Sequence, residues 1–232
     1  MGGCCGEGIP ACEAVFDQRT ADADLRGLRR DGPPWATRAL IDDLATGVEV
    51  GRSTVLDVGA GIGAVHLGLL ERGAATAIDV DGSSAYIAAA RVEAERRGVS
   101  DRVRHVLGDI TAVAPTLQPA DLVALDRVVC CYNDVTSLLV AAAGLARRRL
   151  GFVYPRDRWW IRAGVAIANP VAFRRSHGYR MHVHRASTIA GLLLAAGFAP
   201  VVARDGRVWR VETWERVGPM SDGPSQEGSG VA

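Results

Sequence analysis

The residues with the clearest chemistry sit in the stretch VLDVGAGIGA at 55–64. An apolar, β-branched run leads into glycines at 59, 61 and 63, the pattern of a short buried strand that ends in a tight loop. Glycine tolerates positive φ and lets the backbone come close to a ligand. Read from Gly59, the loop spells G-x-G-x-x-A, a form of the dinucleotide fingerprint. Two ligands therefore compete for it: a nicotinamide or flavin dinucleotide, and S-adenosylmethionine (SAM).

Residues further along the chain favour SAM. Asp57 lies two positions before the first glycine, where a carboxylate can orient the loop and reach an ammonium group through water. Asp79 ends the next apolar run, and its carboxylate can accept from both hydroxyls of a ribose. That feature is neutral by itself, because dinucleotide folds place an acid at about the same spacing. Asp81-Gly82-Ser83 reads as a turn and a helix cap, which makes Asp79 the preferred ribose ligand. Gly108-Asp109-Ile110 ends a third run; Asp109 can accept from an adenine amino group while Ile110 covers the ring. Gly59, Ala60, Gly61, Val80, Asp126 and Arg127 complete the expected cofactor-facing set.

These residues need a scaffold, and the apolar pattern supplies one. Strands are expected at 54–58, 75–80, 103–107, 121–125 and 151–154, with helices at 62–72, from Ser83 or Ser84 to Arg97, and at 134–148. This alternation argues for an α/β, doubly wound, mostly parallel sheet. The rhythm breaks at 156–185, an insertion with a short apolar helix near 160–168. A helix at 186–196 follows. Segments 199–204 and 207–214 then flank Asp205-Gly206, a strong hairpin signal. Residues 1–34 read as an N-terminal segment, partly disordered, with a charged helix at 17–30. Residues 35–217 form the main domain, and the Gly/Ser/Pro-rich tail 218–232 reads as disordered.

In order and spacing, these motifs resemble the class I SAM-dependent methyltransferases. VLDVGAGIG is similar to their first motif, AIDVD (77–81) to their second and LGDI (107–110) to their third, and DLVALDRVV (121–129) matches their fourth strand. The resemblance implies a Rossmann-like sheet of seven strands, the last inserted antiparallel. It also implies SAM as cofactor, and a segment before Trp35 that folds over it as a lid. Within the class, S-x-x-Y-R-x-H-V-H (Ser176 to His184) is similar to the magnesium-protoporphyrin O-methyltransferases. The N-terminal segment is more similar to bacterial small-molecule methyltransferases.

The expected reaction is transfer of the sulfonium methyl to an O, N, C or S atom of a small molecule. Alternatives are a SAM-binding enzyme that spends the cofactor in a non-methylating reaction such as cyclisation, and an NAD(P)-dependent oxidoreductase. Candidate bases are His184 first, then Tyr132, His182 and Tyr179, with Tyr179, His182 and His184 expected on a wall of the substrate pocket; a near-neutral imidazole suits proton removal. If the acceptor needs no base, alignment alone carries the rate. A net charge of +1 gives no sign of a nucleic-acid or anionic-membrane partner. The longest apolar stretch, 189–203, is broken by Gly191, Gly197 and Pro200. The start MGGCCG has no signal-peptide pattern. Five cysteines at 4, 5, 12, 130 and 131 lack C-x-x-C spacing, so reduced thiols, a cytoplasmic location and no metal are expected.

Overall fold

A computed structural model describes residues 9–175 and 179–218. Two short N-terminal helices, α1 (Ile9–Val15) and α2 (Gln18–Asp31), precede α3 (Trp35–Ala45). Then come β1 (Thr54–Val58), α4 (Ala64–Glu71), β2 (Thr76–Asp81), α5 (Ser84–Arg96), β3 (Val103–Leu107), α6 (Ile110–Val113) and β4 (Ala120–Asp126). The chain continues through α7 (Val135–Leu145), β5 (Ala146–Pro155), α8 (Trp159–Arg175), α9 (Ala186–Ala195), β6 (Phe198–Asp205) and β7 (Trp209–Arg216). The expectations for residues 1–8 and 219–232, and Ser176 of the histidine motif, lie outside the described residues.

The seven strands form one sheet in the order β3-β2-β1-β4-β5-β7-β6. β1 to β5 are parallel, and β7 enters antiparallel between β5 and β6. The expected Rossmann-like architecture with a closing antiparallel hairpin is what forms. Central strands β1 and β4 are buried along nearly their whole length, as expected for strands covered by helices on both faces. One face packs Leu56, Val123 and Phe152 against Leu138 of α7 and Ile189 of α9. The other packs Val55, Leu122 and Val153 against Leu40 and Leu44 of α3 and Leu67 of α4.

Three boundaries differ from expectation. The helix expected at 134–148 stops at Leu145, and Ala146–Arg148 already belongs to β5. There the tertiary ladder overrides the helical propensity of Ala and Arg. The insertion helix runs to Arg175, straight through Pro170, although proline removes one backbone donor. It is tied down nearby: the Asn169 side chain donates to Met181 O and accepts from Met181 N, both at 2.9 Å. The hairpin turn is longer than two residues, since β6 ends at Asp205 and β7 starts at Trp209.

Candidate functional site

A cavity of about 640 Å³ opens at the carboxyl ends of β1, β2 and β4. Ligands of open α/β sheets bind at this edge. Its floor holds Gly59, Ala60 and Gly61 after β1, Asp81 at the end of β2, and Asp126 and Arg127 after β4. Its cover comes from the N-terminal segment, with Phe16, Asp24 and Leu28 on the wall. Trp35, Trp209 and Tyr179 line it as well.

The glycine loop is shaped for close approach. Gly59 and Gly61 have φ of 61° and 58°, left-handed values that side chains rarely adopt. A Cβ on Gly59 would stand 2.5 Å from Val128 Cγ2. The loop is pinned to β2: Gly59 N donates to Val80 O at 2.7 Å, and Gly61 N donates to Asp81 Oδ2 at 2.8 Å. Asp81 Oδ1 accepts from Ser83 N at 2.8 Å. Burial pushes the Asp81 carboxyl up to about 7, against the hydrogen bonds from Gly61 and Ser83 that favour the charged form.

The strand register explains why Asp81, and not Asp79, reaches the cavity. Asp79 sits in a row across the sheet, opposite Asp57 of β1 and His105 of β3. It is fully buried, and its Oδ2 accepts from His105 Nδ1 at 2.7 Å. Asp81 points to the same face one pleat further on, beyond the last β1 partner. The expected ribose ligand Asp79 is therefore enclosed beneath the loop and does not line the cavity, whereas Asp81 does.

Asp57 is also buried. Its Oδ2 accepts from His66 N at 3.1 Å and from His66 Nδ1 at 3.0 Å, so it orients the first turn of α4. Burial alone would lower the His66 pKa; the Asp57 hydrogen bond and the charges of Asp57 and Asp79 outweigh it and hold it above its ordinary value. Asp57 Oδ1, His66 Nε2 and Asp79 Oδ1 have no hydrogen-bond partner among the described residues. Val80 contributes only a backbone carbonyl to the loop.

The third expected segment also sits off the cavity wall. Asp109 Oδ1 caps α6 by accepting from Thr111 N and also accepts from Tyr132 Oη, at 2.9 and 2.8 Å. Gly108 lies against Val113 and Ile110 is buried. Of the expected cofactor-facing residues, Gly59, Ala60, Gly61, Asp126 and Arg127 line the cavity; Asp57, Asp79, Val80, Gly108, Asp109 and Ile110 do not.

Of the four expected bases, three lie off the cavity wall. Tyr132 is buried and spends its hydroxyl on Asp109. His184 Nε2 donates to Tyr132 O at 2.8 Å, and the His182 ring stacks on His184 with centroids 5.9 Å apart. None of the three lines the cavity. From the same insertion, Tyr179 does, with its Oη 3.6 Å from Cys131 Sγ.

Two features of the wall escaped the sequence reading. Arg127 is the one described non-glycine residue with positive φ, at 61°. An L-residue there costs roughly 1–2 kcal/mol, and Arg127 contacts Asp126 only at 3.4 Å. Asp126 accepts a stronger bond, 2.6 Å, from Thr37 of α3. The cover is tied down by polar contacts: Ser83 Oγ to Phe16 O at 2.5 Å, Tyr86 Oη to Asp24 Oδ2 at 2.5 Å, and Arg29 Nε to buried Glu93 at 2.9 Å. Charged helix 17–30 was legible; its partners on α5 were not.

Residues 55–148 match a family model described as a methyltransferase domain. Ribosomal protein L11 methyltransferase from Serratia proteamaculans is 38% identical over 88 residues, covering 38% of this chain. The chain spans only 28% of that relative's length. Among solved structures, an O-methyltransferase family protein from Burkholderia thailandensis superposes with TM-score 0.67 at 20% identity, covering 88% of this chain and 61% of the other. Magnesium protoporphyrin IX methyltransferase from Synechocystis PCC 6803, with bound SAH, gives TM-score 0.59 at 20% identity over 87% and 84% of the two chains. At these identities the superpositions establish a shared fold.

Proposed function

We propose that this chain, which carries a methyltransferase domain in the class I SAM-dependent fold, transfers the methyl group of SAM to a small molecule held in the same cavity. The observation that carries the reading is the joint placement of the left-handed glycine loop and the Asp81 carboxylate on one cavity wall. These residues fit the cofactor. Gly59 to Gly61 leave room for the methionine part against the backbone, and Asp81 accepts from the ribose hydroxyls in the role first expected of Asp79. Arg127, held toward the cavity by its unusual backbone, receives a carboxylate.

When bound, SAM supplies an electrophilic sulfonium methyl. The chain's part is to align the acceptor behind it and to exclude water. The N-terminal cover provides the exclusion, through the ties to Ser83, Tyr86 and Glu93. With His184, His182 and Tyr132 away from the wall, alignment carries the rate, and Tyr179 is the phenol best placed to take a proton where the acceptor must lose one. A volume of about 640 Å³ under a cover suits a small molecule. No described helix is long and apolar enough to cross a membrane.

The test is titration with S-adenosylhomocysteine and NADH, followed by product analysis with SAM and candidate acceptors. Binding of S-adenosylhomocysteine alone, and its formation from SAM together with a methylated acceptor, supports the reading. NADH binding, or SAM consumed without methyl transfer, replaces it.

A further inference from the structure

Helix α8 has more apolar surface than the fold uses. Ile161, Val165 and Asn169, spaced i, i+4 and i+8, form its inner face: Ile161 is buried and the other two are partly buried. The opposite face is apolar as well. Trp160, Ala163 and Ile167, spaced i, i+3 and i+7, are exposed, and Trp159 stands beside them. Trp159 and Ile167 are 80% and 76% exposed. A helix apolar on both faces is normally covered on both, and nothing within the described chain covers this one. The face lies apart from the cavity, and none of these four residues lines it.

Charge identifies the occupant. Residues 156–185 hold seven arginines and one acid, Asp157, an excess of +6 in a chain of net charge +1; of these arginines, Arg156 is paired with Asp205 at 3.1 Å. The near-neutral total hides this concentration. Arg158 and Arg162 are exposed next to the tryptophans, and Arg162 is neutralised by Asp157 at 2.5 Å. A second copy docked symmetrically on this face would bring the two basic segments together, a like-charge contact that disfavours a dimer. An anionic surface would be attracted. Two adjacent tryptophans with an aliphatic stripe and flanking arginines are the makeup of a helix lying in a lipid headgroup layer. The rings sit at the boundary and the arginines meet the phosphates. We propose that α8 docks this protein on an anionic lipid surface through Trp159, Trp160 and Ile167.

The proposal is independent of what the cavity binds. The experiment is flotation of the full chain with vesicles of phosphatidylcholine alone or mixed equally with phosphatidylglycerol, at low and high salt. Binding to the mixed vesicles is expected to exceed binding to phosphatidylcholine by at least tenfold and to weaken in high salt, because each arginine near the surface contributes about fivefold. The double variant Trp159→Ser, Ile167→Ser should lose at least tenfold of this binding while keeping its melting temperature, since both side chains are mostly exposed. Arg158→Gln should lower binding about fivefold. No flotation with either vesicle, or equal flotation of the double variant, overturns the proposal. A dimer in sedimentation velocity that the double variant dissociates assigns the face to a second copy and overturns it too.

Discussion

Asp81 makes the sharpest prediction, because its ligand and its proton compete. The ribose hydroxyls can donate to the ionised carboxylate, and burial pushes that carboxyl up to about 7 in the ligand-free protein. The ionised fraction then falls below half just under neutral pH. The apparent Kd for an adenosyl ligand should double near that pKa and rise about tenfold per unit below it, so that binding at pH 6 is about tenfold weaker than at pH 8. Removing the charge with Asp81→Asn should weaken binding at pH 8 by about 10- to 150-fold, the worth of hydrogen bonds to a charged group at ~1.5–3 kcal/mol, and should flatten the pH profile. The stability of the free protein runs the other way. An acid whose folded pKa is raised holds its proton more tightly when folded, so this group's contribution is lost as pH rises from the ordinary carboxylate range through about 7. The ligand-induced rise in melting temperature should therefore be larger at pH 8 than at pH 6. Calorimetry with 5′-methylthioadenosine is the assay, since that ligand keeps the ribose but lacks an amino acid group that titrates. A flat affinity between pH 5.5 and 8, or an unchanged Kd in a folded Asp81→Asn variant, refutes the argument.

Asp79→Asn should leave the Kd for S-adenosylhomocysteine within about twofold while lowering the melting temperature, because it breaks the buried bond to His105; parallel calorimetry and thermal melts decide between this and a direct ribose role. Gly59→Val should abolish cofactor binding, since its Cβ meets Val128 and its φ is left-handed; retained binding would move the cofactor elsewhere. Burial would raise the Glu93 carboxyl, but hydrogen bonds from Arg96, Arg97 and Arg29 outweigh it and hold it at about 2. A depressed acid stabilises above its unfolded pKa and loses that contribution as pH falls toward 2, so Glu93→Gln should lower the melting temperature at pH 7 and flatten its acid limb. His184→Ala should change the methyl-transfer rate by less than about fivefold, far short of the ~10²–10⁴ of a general base, with the cost appearing in stability instead.

The succession of strands and helices and the glycine loop were legible because they rest on local signals, while the antiparallel place of the last strand was implied only by the family resemblance. Apolar runs of strand length alternate with capped helices, and glycines stand where φ turns positive. The parallel sheet with its closing hairpin follows from that rhythm. What the sequence did not reveal depends on register. Asp79 and Asp81 are both acids at the end of one run, and only the pairing with Asp57 and His105 shows that the first is enclosed and the second faces the loop. A usable signal was present, since His66 and His105 supply partners for two buried acids. The histidines of the insertion lie off the cavity wall for a similar reason. Their spacing before α9 was visible, but the carbonyl of Tyr132 that takes the His184 ring lies 52 residues away in sequence. Arg127 was expected beside the cofactor and lines the cavity, but its left-handed backbone carried no sequence mark.

The most direct test of the account is a crystal structure of the protein with S-adenosylhomocysteine. The account predicts the ribose hydroxyls on the Asp81 carboxylate, the homocysteine part against Gly59 to Gly61, and Asp79 still bonded to His105 beneath the loop. Ribose hydroxyls on Asp79 with His105 displaced, or a ligand bound outside the cavity under Phe16 and Asp24, would contradict it.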